Sequence, residues 1–415
     1  MRKLKYSLLL SLITLLLTGC YDKTELEQQA YVVAIGVDKG EKENTYDLTY
    51  QIANPEVGSS ITGGSSDEAP FELVTVQGID FMTATATANS FVAKNITLDH
   101  TKVLFVSEEL ARSESFLRGM QGASRTSEIR RQVNIVVTKE DTRTFIETNQ
   151  PQLETRPHKY YQLMLGRSTE TGIVPQSTIH RFFQLTEGDA DLFLAMYATT
   201  QGEDDKTEGN VDEYIAGQIP KEGGNPTQFM GAAVFKEGKM IDILNGEETR
   251  IALILDNTLD MKDLLVTFQD PINKEYQVAG DLSKKDETKV EVDYKKEGPT
   301  KIDVTVPFQL EVLAVPSLID YTNHKKHREK LKESVEGELQ ETADALVKKA
   351  QEEYGSDPFY WSIYIRSQFK TIEEYEQADW NKKIWPNADV TINFDMNRIE
   401  FGKMLKDSDL EEVWD

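Results

Sequence analysis

Cys20 is the only cysteine of the 415-residue chain, and the residues before it give its thiol a specific chemistry. Residues 1–5 contain three basic side chains and no acidic one, residues 6–17 are almost wholly apolar, and the two residues before Cys20 are small. A basic head, a short apolar run and small residues before a cut form a secretory signal. The pattern predicts export of the chain and removal of residues 1–19, which would make Cys20 the new N-terminus.

The segment Leu17-Thr18-Gly19-Cys20 resembles the bacterial lipobox, in which the cysteine thiol takes a diacylglycerol. The alternative is an ordinary secretory signal followed by an incidental cysteine. A lone exported cysteine cannot form an internal disulfide, which favours the lipid. The apolar run is also shorter than the roughly 20 residues that a membrane-spanning helix needs. We therefore expect a protein on the exported side of a membrane, held there by lipid on acylated Cys20.

Histidines supply the next candidate chemistry, a zinc site. The chain has five histidines, and only His324 and His327 are close together. Lys325 and Lys326 lie between them and would repel a cation, and neither a cysteine nor a third histidine is near. No metal site is expected here.

Catalytic patterns are equally weak. His100 follows Asp99 and could be a base oriented by that acid, but a structural histidine at a helix–strand junction is favoured. The acidic residues 201–214 lack the ligand spacing of a calcium loop, so that only loose calcium binding is left open. The glycine motifs of hydrolases, Walker loops and dinucleotide folds are missing. The sequence therefore predicts neither an enzyme nor a cofactor.

The composition limits the partners. The formal net charge of −25 becomes −28 once the three positive charges of residues 1–19 are removed. No nucleic-acid partner is expected, because phosphate binding needs clustered Lys and Arg. An anionic bilayer would also repel the chain, which leaves the anchoring to the lipid. Hydrophobic residues, at 39%, suffice for packed cores, and the length suits two or three domains.

The first half of the mature chain alternates strand and helix patterns. Strands are predicted at 31–37, 46–53, 71–77, 101–106 and 132–138, and helices at 79–94, from Ser107 onward, and at 138–148. The first two strands should form a hairpin, and residues 57–70 a Gly/Ser-rich loop. Ser107 is a candidate N-cap.

The second half predicts a further sheet and one long helix. Strands are expected at 229–235, 264–269, 289–293, 302–314 and 388–394. Residues 322–354 repeat apolar side chains every three or four positions, which predicts an amphipathic helix. The helix could bind a partner, but packing on its own sheet is favoured. The fold class is therefore multi-domain α/β (α+β), with mixed sheets and packed helices.

The domain division follows from these patterns. After the signal at 1–19, residues 20–29 form the lipidated cysteine and its tether, and 30–200 an N-terminal α/β domain. Residues 201–228 read as an acidic, Gly-rich linker. A C-terminal α/β domain at 229–415 can divide again, which would give three domains.

Short motifs occur in a fixed order along the chain. They are Gly19-Cys20-Tyr21-Asp22-Lys23-Thr24-Glu25-Leu26, Val33-Ala34-Ile35-Gly36-Val37-Asp38-Lys39, Gln51-Ile52-Ala53-Asn54-Pro55, Leu98-Asp99-His100-Thr101-Lys102-Val103-Leu104, Ser107-Glu108-Glu109-Leu110-Ala111-Arg112, Ser356-Asp357-Pro358-Phe359, Trp380 and Trp385-Pro386. The ordered set resembles the Ger(x)C lipoproteins, the C subunits of nutrient germinant receptors in endospore-forming bacteria. Tyr21 stands where that family usually has tryptophan, and Tyr360-Trp361 where it favours small residues or glycine.

The resemblance implies a non-catalytic receptor subunit on the outer face of the spore inner membrane. Its partners would be the A-type and B-type subunits, both membrane proteins, and the complex would sense amino acids, sugars or nucleosides to start germination. Two other readings stay open at this point. One is a solute-binding lipoprotein of a transporter, although the long helix after several strands does not suit two similar lobes. The other is a lipid-anchored cell-wall hydrolase, for which no site is found.

Overall fold

The structure is a computed structural model that describes residues 25–54, 69–188, 191–203, 211–257, 264–284 and 286–403. The predicted signal, Cys20, most of the predicted loop at 57–70 and part of the acidic segment lie outside these ranges.

Within these ranges, nine strands form the first sheet and five form the second. The first contains β1 (Gln29–Lys39), β2 (Tyr46–Ala53), β3 (Phe71–Gly78), β4 (Asn95–Thr97), β5 (Val103–Ser107), β6 (Asn134–Thr138), β7 (Phe193–Thr199), β8 (Gln228–Lys236) and β9 (Lys239–Leu244). The second contains β10 (Leu264–Gln269), β11 (Gln277–Ser283), β12 (Lys289–Asp293), β13 (Lys301–Ala314) and β14 (Asp389–Glu400).

The α-helices of the described ranges lie between and after these strands. They are α1 (Phe81–Ala88), α2 (Glu108–Ala111), α3 (Ser115–Arg125), α4 (Thr142–Thr148), α5 (Pro157–Glu170), α6 (Ile179–Thr186), α7 (Gly246–Leu255), α8 (Lys325–Lys349), α9 (Ser362–Arg366) and α10 (Ile372–Ala378). Short π-helical turns follow α8 at Ala350–Tyr354 and α10 at Trp380–Ile384.

The first sheet is mixed, in the order β3-β2-β1-β5-β6-β7-β8-β9, and β4 pairs with the first residues of β1. Strands β1, β5, β6 and β7 run parallel, and β2 and β8 extend the sheet antiparallel on either side. The central strands are buried almost throughout, because helices cover both faces of a parallel sheet. This explains their near-continuous apolar sequences.

The second sheet is organised by β13, which pairs in parallel with β14 along one edge. Strands β12 and β11 pair antiparallel with successive parts of its other edge, and β10 follows β11. The apolar stripe of α8, including Leu331, Val335 and Leu346, is buried in the core of this sheet. The prediction that the long helix packs on its own sheet is confirmed.

The two sheets share one hydrophobic core. Leu194 of β7 and Val234 of β8 belong to the same buried cluster as Ile251 of α7, Val304 of β13 and Leu346 of α8. Helix α7 therefore lies between a face of the first sheet and the helix that covers the second. The mixed α/β fold class with packed helices and a long C-terminal helix is confirmed.

Most predicted strands occur within one to three residues of their predicted bounds, and the predicted hairpin of β1 and β2 is present. Strands β8 and β9 follow the predicted linker at 201–228, yet both pair within the first sheet. The division into domains at that linker stays a prediction.

The helix predicted at 79–94 is shorter than predicted. Asp80 starts α1 with a capping box, and the helix ends at Ala88. The side chain of Asn89 then accepts a hydrogen bond from the backbone N–H of Ile96 at 2.9 Å, which ties the helix end to β4. Phe91, which lies within the predicted helix, is 62% exposed. Periodicity alone could not detect this turn, because its cause is a contact with a later strand.

Two helix starts also differ from prediction. Ser107 does precede α2, but its hydroxyl makes no cap bond and the helix has only four residues. The helix predicted from 138 begins at Thr142, after Asp141 accepts from the N–H of Thr144 at 2.8 Å. The preceding residue, Glu140, instead accepts bonds from Thr199 and Thr200 at the end of β7.

The end of β1 shows why a glycine stands in the middle of a buried strand. Asp38 accepts hydrogen bonds from the backbone N–H and the hydroxyl of Thr142, at 3.0 and 2.5 Å, and so holds the start of α4 against β1. A Cβ at Gly36 would lie 2.2 Å from Thr142 Oγ1 and 2.8 Å from its Cβ. The close approach of α4 to β1 therefore requires glycine at position 36.

We expect Gly36→Ala to lower the free energy of unfolding by about 1–3 kcal/mol, because α4 must shift away from β1. Gly166→Ala is the matched control, since a Cβ there meets nothing within 4 Å. It should instead raise the free energy of unfolding by up to about 1 kcal/mol through helix propensity. Urea unfolding of both variants checks the pair, and equal effects would contradict the packing argument.

Candidate functional site: a buried acidic junction

Asp191 and Asp357 bring the C-terminal segment to the start of β7. The two residues form a parallel β-bridge, and the N–H of Leu192 donates to the carbonyl oxygen of Asp357 at 2.9 Å. Both side chains are buried, Asp357 completely and Asp191 with 9% exposure. Two buried carboxyls side by side need a specific arrangement of protons and donors, because an uncompensated buried charge is costly.

Asp357 is arranged to be the ionised member. One of its carboxylate oxygens accepts from the backbone N–H groups of Phe359 and Trp361, at 2.9 and 3.1 Å. The other accepts from Nε1 of Trp380 at 2.8 Å. Burial raises the pKa of Asp357 to about 6, and these donors limit that rise.

Asp191 is arranged to be the protonated member. Burial and the neighbouring charge of Asp357 raise the pKa of Asp191 well above its ordinary value. Its donors are fewer: the hydroxyl of Ser362 donates at 2.8 Å, and Nη2 of Arg366 lies 3.9 Å away. The pair is therefore arranged to share one proton and one negative charge, with the charge on Asp357, which has more hydrogen-bond donors.

Aromatic side chains surround the charged member and connect it to the rest of the core. Trp361 packs edge-on against Trp385 at 5.9 Å, and Trp380 stacks on Trp385 at 6.0 Å. Nε1 of Trp361 donates to the carbonyl of Leu255, at the end of α7, and Nε1 of Trp385 donates to that of Ala350, after α8. One small cluster thus joins β7, α7 and the end of α8.

Tyr360 follows this motif in an unusual backbone conformation, with φ of 60°. Glycine adopts that conformation freely, whereas a tyrosine does so at a cost. Here the hydroxyl accepts from Nε2 of Gln184 at 2.9 Å, and the guanidinium groups of Arg181 and Arg366 lie over the ring at 5.7 and 5.9 Å. These contacts hold the tyrosine in place.

A cleft of about 850 Å³ opens beside the junction. It is lined by Arg366 and Tyr375 and by side chains of both charges, including Lys370 and Glu376. The guanidinium of Arg366 lies 5.5 Å from the Tyr375 ring centre. The cleft is therefore a surface recess with side chains of both charges, beside a cluster whose hydrogen bonds hold the fold together.

The histidines considered from the sequence make separate contacts. His100 packs edge-on against Tyr31 at 4.9 Å, while Asp99 accepts from the hydroxyl of Thr97. His324 and His327 stack at 4.9 Å. Within the described ranges, no group of three or more His, Cys, Asp or Glu side chains is placed to hold a metal ion.

The acidic segment considered for calcium is only partly described. Asp212 pairs with Arg250 at 2.6 Å, and Glu203 pairs with Lys139. Both carboxylates are thus engaged by cations of the chain. Cys20, the predicted lipidation site, lies outside the described residues.

Sequence reasoning identified Asp357, Trp380 and Trp385 only as family motifs and missed Asp191, Ser362 and Arg366. The available signal for Asp191 was an acidic residue two positions before the buried strand β7. Nothing in the sequence indicates its pairing, because Asp191 and Ser362 are 171 positions apart.

Comparison with known proteins places this architecture in one class. The chain resembles a solved structure described as "Crystal Structure of the GerBC protein", with a TM-score of 0.51 and 15% identity over 91% of this chain and 99% of that one. The family model "Spore germination protein N-terminal domain" matches residues 22–199, and "Spore germination B3/ GerAC like, C-terminal" matches residues 230–402. The chain therefore belongs to the Ger(x)C family of spore germination proteins, and the resemblance seen in the sequence is confirmed.

Two relatives from Bacillus subtilis (strain 168) illustrate the range of similarity. Spore germination protein B3 is 22% identical over 406 residues, which cover 97% of this chain and 99% of that protein. Spore germination protein KC is 31% identical over 138 residues, which span 33% of this chain and 34% of that protein.

In the described part of this chain, no helix has the length and apolar character to cross a membrane.

The acid pair predicts a specific pH dependence. The pKa values of both carboxyls are raised on folding, so the folded protein binds an extra proton. The stability that this proton contributes is complete below the unfolded pKa of about 4 and is lost as pH rises through the folded-state values. Asp191→Asn mimics the neutral acid. The free energy of unfolding of this variant, measured with urea, should therefore change less between about pH 5 and pH 8 than that of the unmodified protein.

Asp357→Asn tests the assignment of the charge. An amide cannot accept all three N–H bonds and turns its own donors toward one of them, so we expect a loss of about 1–3 kcal/mol in unfolding free energy. Asp303→Asn, at an exposed position of β13, is the control and should change little. If Asp191→Asn lowers the free energy of unfolding at neutral pH more than Asp357→Asn does, then Asp191 is the ionised member and the assignment is wrong.

Proposed function

We propose that this protein is the lipid-anchored C subunit of a nutrient germinant receptor, held on the outer face of the spore inner membrane through acylated Cys20. The observation that carries the proposal is the order of its parts. A segment that resembles a lipobox ends at Cys20, and the two germination family models match residues 22–199 and 230–402. The relatives named above are spore germination proteins, which supports a role in germination.

The subunit catalyses no reaction in this proposal. Its support is how the buried titratable groups are used. Asp357 accepts three N–H groups that fold the C-terminal segment, and Asp191 accepts from Ser362 in the same cluster. Groups bound in this way join elements of the fold, whereas a catalytic acid or base must be open to a substrate.

Membrane lipid and the A-type and B-type receptor subunits are the proposed partners. Similarity to spore germination protein A3 of B. subtilis, 43% identical over 65 residues that cover 16% of this chain and 17% of that protein, supports the germination role on which these partners rest. The nutrient would be recognised by the assembled receptor, from the class of amino acids, sugars or nucleosides. This subunit contributes a folded body at the exported membrane surface.

Cys20→Ala should release the protein from spore membranes and impair nutrient-triggered germination, because the lipid has no other attachment site in a chain with one cysteine. Membrane fractionation and loss of spore refractility on nutrient addition measure the two effects. Tyr21→Trp is the matched control, since it changes the next residue and leaves the modified sulfur intact. Unchanged fractionation of Cys20→Ala would refute the anchor.

The receptor assignment has its own test. A tagged copy purified from spore inner membranes in mild detergent should bring down two membrane proteins in comparable amounts, one of them polytopic. Recovery of a permease with an ATPase, or of no partner, would sink the receptor assignment and favour the solute-binding alternative.

A further inference from the structure

The sheet topology defines which end of the protein the anchor holds. Strands β1, β5, β6 and β7 are parallel, so their first residues lie at one end of the sheet, here called the strand-start end. Gln29, the first residue of β1, stands nine positions after Cys20. A fully extended tether of that length spans at most about 30 Å. The lipid anchor of the proposed function, on which this inference rests, therefore keeps the strand-start end near the bilayer.

Phe91 is an exposed aromatic residue at this end. After α1, the turn 89–94 leads into β4, where Asn95 pairs with Gln29 and donates to its side chain at 3.4 Å. The Phe91 side chain is 62% exposed, whereas the next residue, Val92, packs on the core. Phe91 is the only phenylalanine so exposed among those the structure describes. An exposed aromatic ring close to a membrane anchor can contact the apolar acyl layer of that membrane.

The charges at this end differ from those of the chain as a whole. Helix α3 ends at Arg125, the loop before β6 carries Arg130 and Arg131, and none of these three arginines forms an ion pair with another described residue. The loop lies close to β4, because Glu128 accepts from the N–H of Leu98 at 3.2 Å.

Lys94 and Lys102 add two further cations, and together these five equal in number the described acids around the starts of β1 and β4. Those acids are Glu25, Glu27, Glu72, Asp99 and Glu128. Among the described residues, the part of the strand-start end around β1 and β4 is therefore close to neutral, in a chain with a formal charge of −25. An anionic surface repels the remainder of the protein and tolerates this end, which orients the anchored molecule.

We propose that the turn 89–94 inserts Phe91 into the headgroup–acyl boundary of the bilayer to which the protein is anchored. Lys94, three residues on, can extend its ammonium group to the lipid phosphates while its stem lies along the apolar layer. Arg130 and Arg131 then face anionic headgroups. The contact gives the lipid-tethered subunit one fixed orientation, with the strand-start end on the membrane and the β1–β2 turn pointing away.

The lone cysteine makes a site-specific test possible. With Cys20 acylated, Phe91→Cys supplies the only free thiol for an environment-sensitive fluorophore. The matched control is Ile79→Cys, at 65% exposure just before the opposite end of α1. The lipidated full chain is reconstituted on phosphatidylcholine–phosphatidylglycerol vesicles with brominated acyl chains. The label at position 91 should lose more than half of its fluorescence, and the label at position 79 should lose little.

Charge reversal tests the orientation. Arg130→Glu combined with Arg131→Glu should reduce quenching at position 91 to the level found on pure phosphatidylcholine vesicles. Each basic residue beside an anionic surface contributes about a fivefold factor to binding, so the double reversal is a large change. Lys42→Glu, in the β1–β2 turn at the far end, is the control and should have no effect.

The outcomes separate this inference from the proposed function. A chain that does not stay on the vesicles has no lipid anchor, and both proposals are then wrong. A chain that stays bound but shows equal quenching at positions 79 and 91 overturns only the membrane contact. If the label at position 91 is shielded from solvent only when A-type and B-type subunits are reconstituted with the chain, then Phe91 contacts a protein surface instead of the bilayer. That result would also overturn the membrane contact.

Discussion

One buried carboxylate connects segments of this structure that are far apart in sequence. Asp357 accepts three N–H groups, two from the backbone that follows it and one from Trp380, and its own carbonyl oxygen accepts from the strand-start end of β7. The charge of Asp357 is tolerated in the interior because these donors replace the water that would otherwise solvate it. Asp191 is arranged to stay protonated, so that no second negative charge lies beside the first. Removing any of these partners leaves a buried polar group unpaired.

The same cluster explains how two sheets form one body. Trp361 and Trp385 bond to the ends of α7 and α8, and both helices pack into the core that the two sheets share. A displacement of the second sheet would therefore have to break bonds at the start of β7, or carry that strand with it. Tyr360 bears a backbone strain at this point, and its contacts with Arg181, Arg366 and Gln184 offset that cost.

In the proposed lipid-anchored subunit, the charge of the chain and its anchor act on membrane binding in opposite directions. A net charge of −25 favours solubility and repels an anionic bilayer, so a lipid on Cys20 would have to supply the attraction. The distribution of charge matters as much as its sum, because a tether limits which residues meet the membrane. An anchor at Cys20 would keep the cations beside the start of β1 close to the membrane surface.

Several features were determined by local sequence alone. The lipobox pattern at Cys20, the alternating strands β10 and β12, and the apolar stripe of α8 depend on residues that are neighbours in the chain. The end of α1 at Ala88 and the late start of α4 were decided by tertiary contacts, through Asn89 with β4 and Glu140 with β7. The protonation of Asp191 and the need for glycine at position 36 were likewise invisible in the sequence. Each depends on how closely a distant segment approaches, and only the folded chain sets that distance.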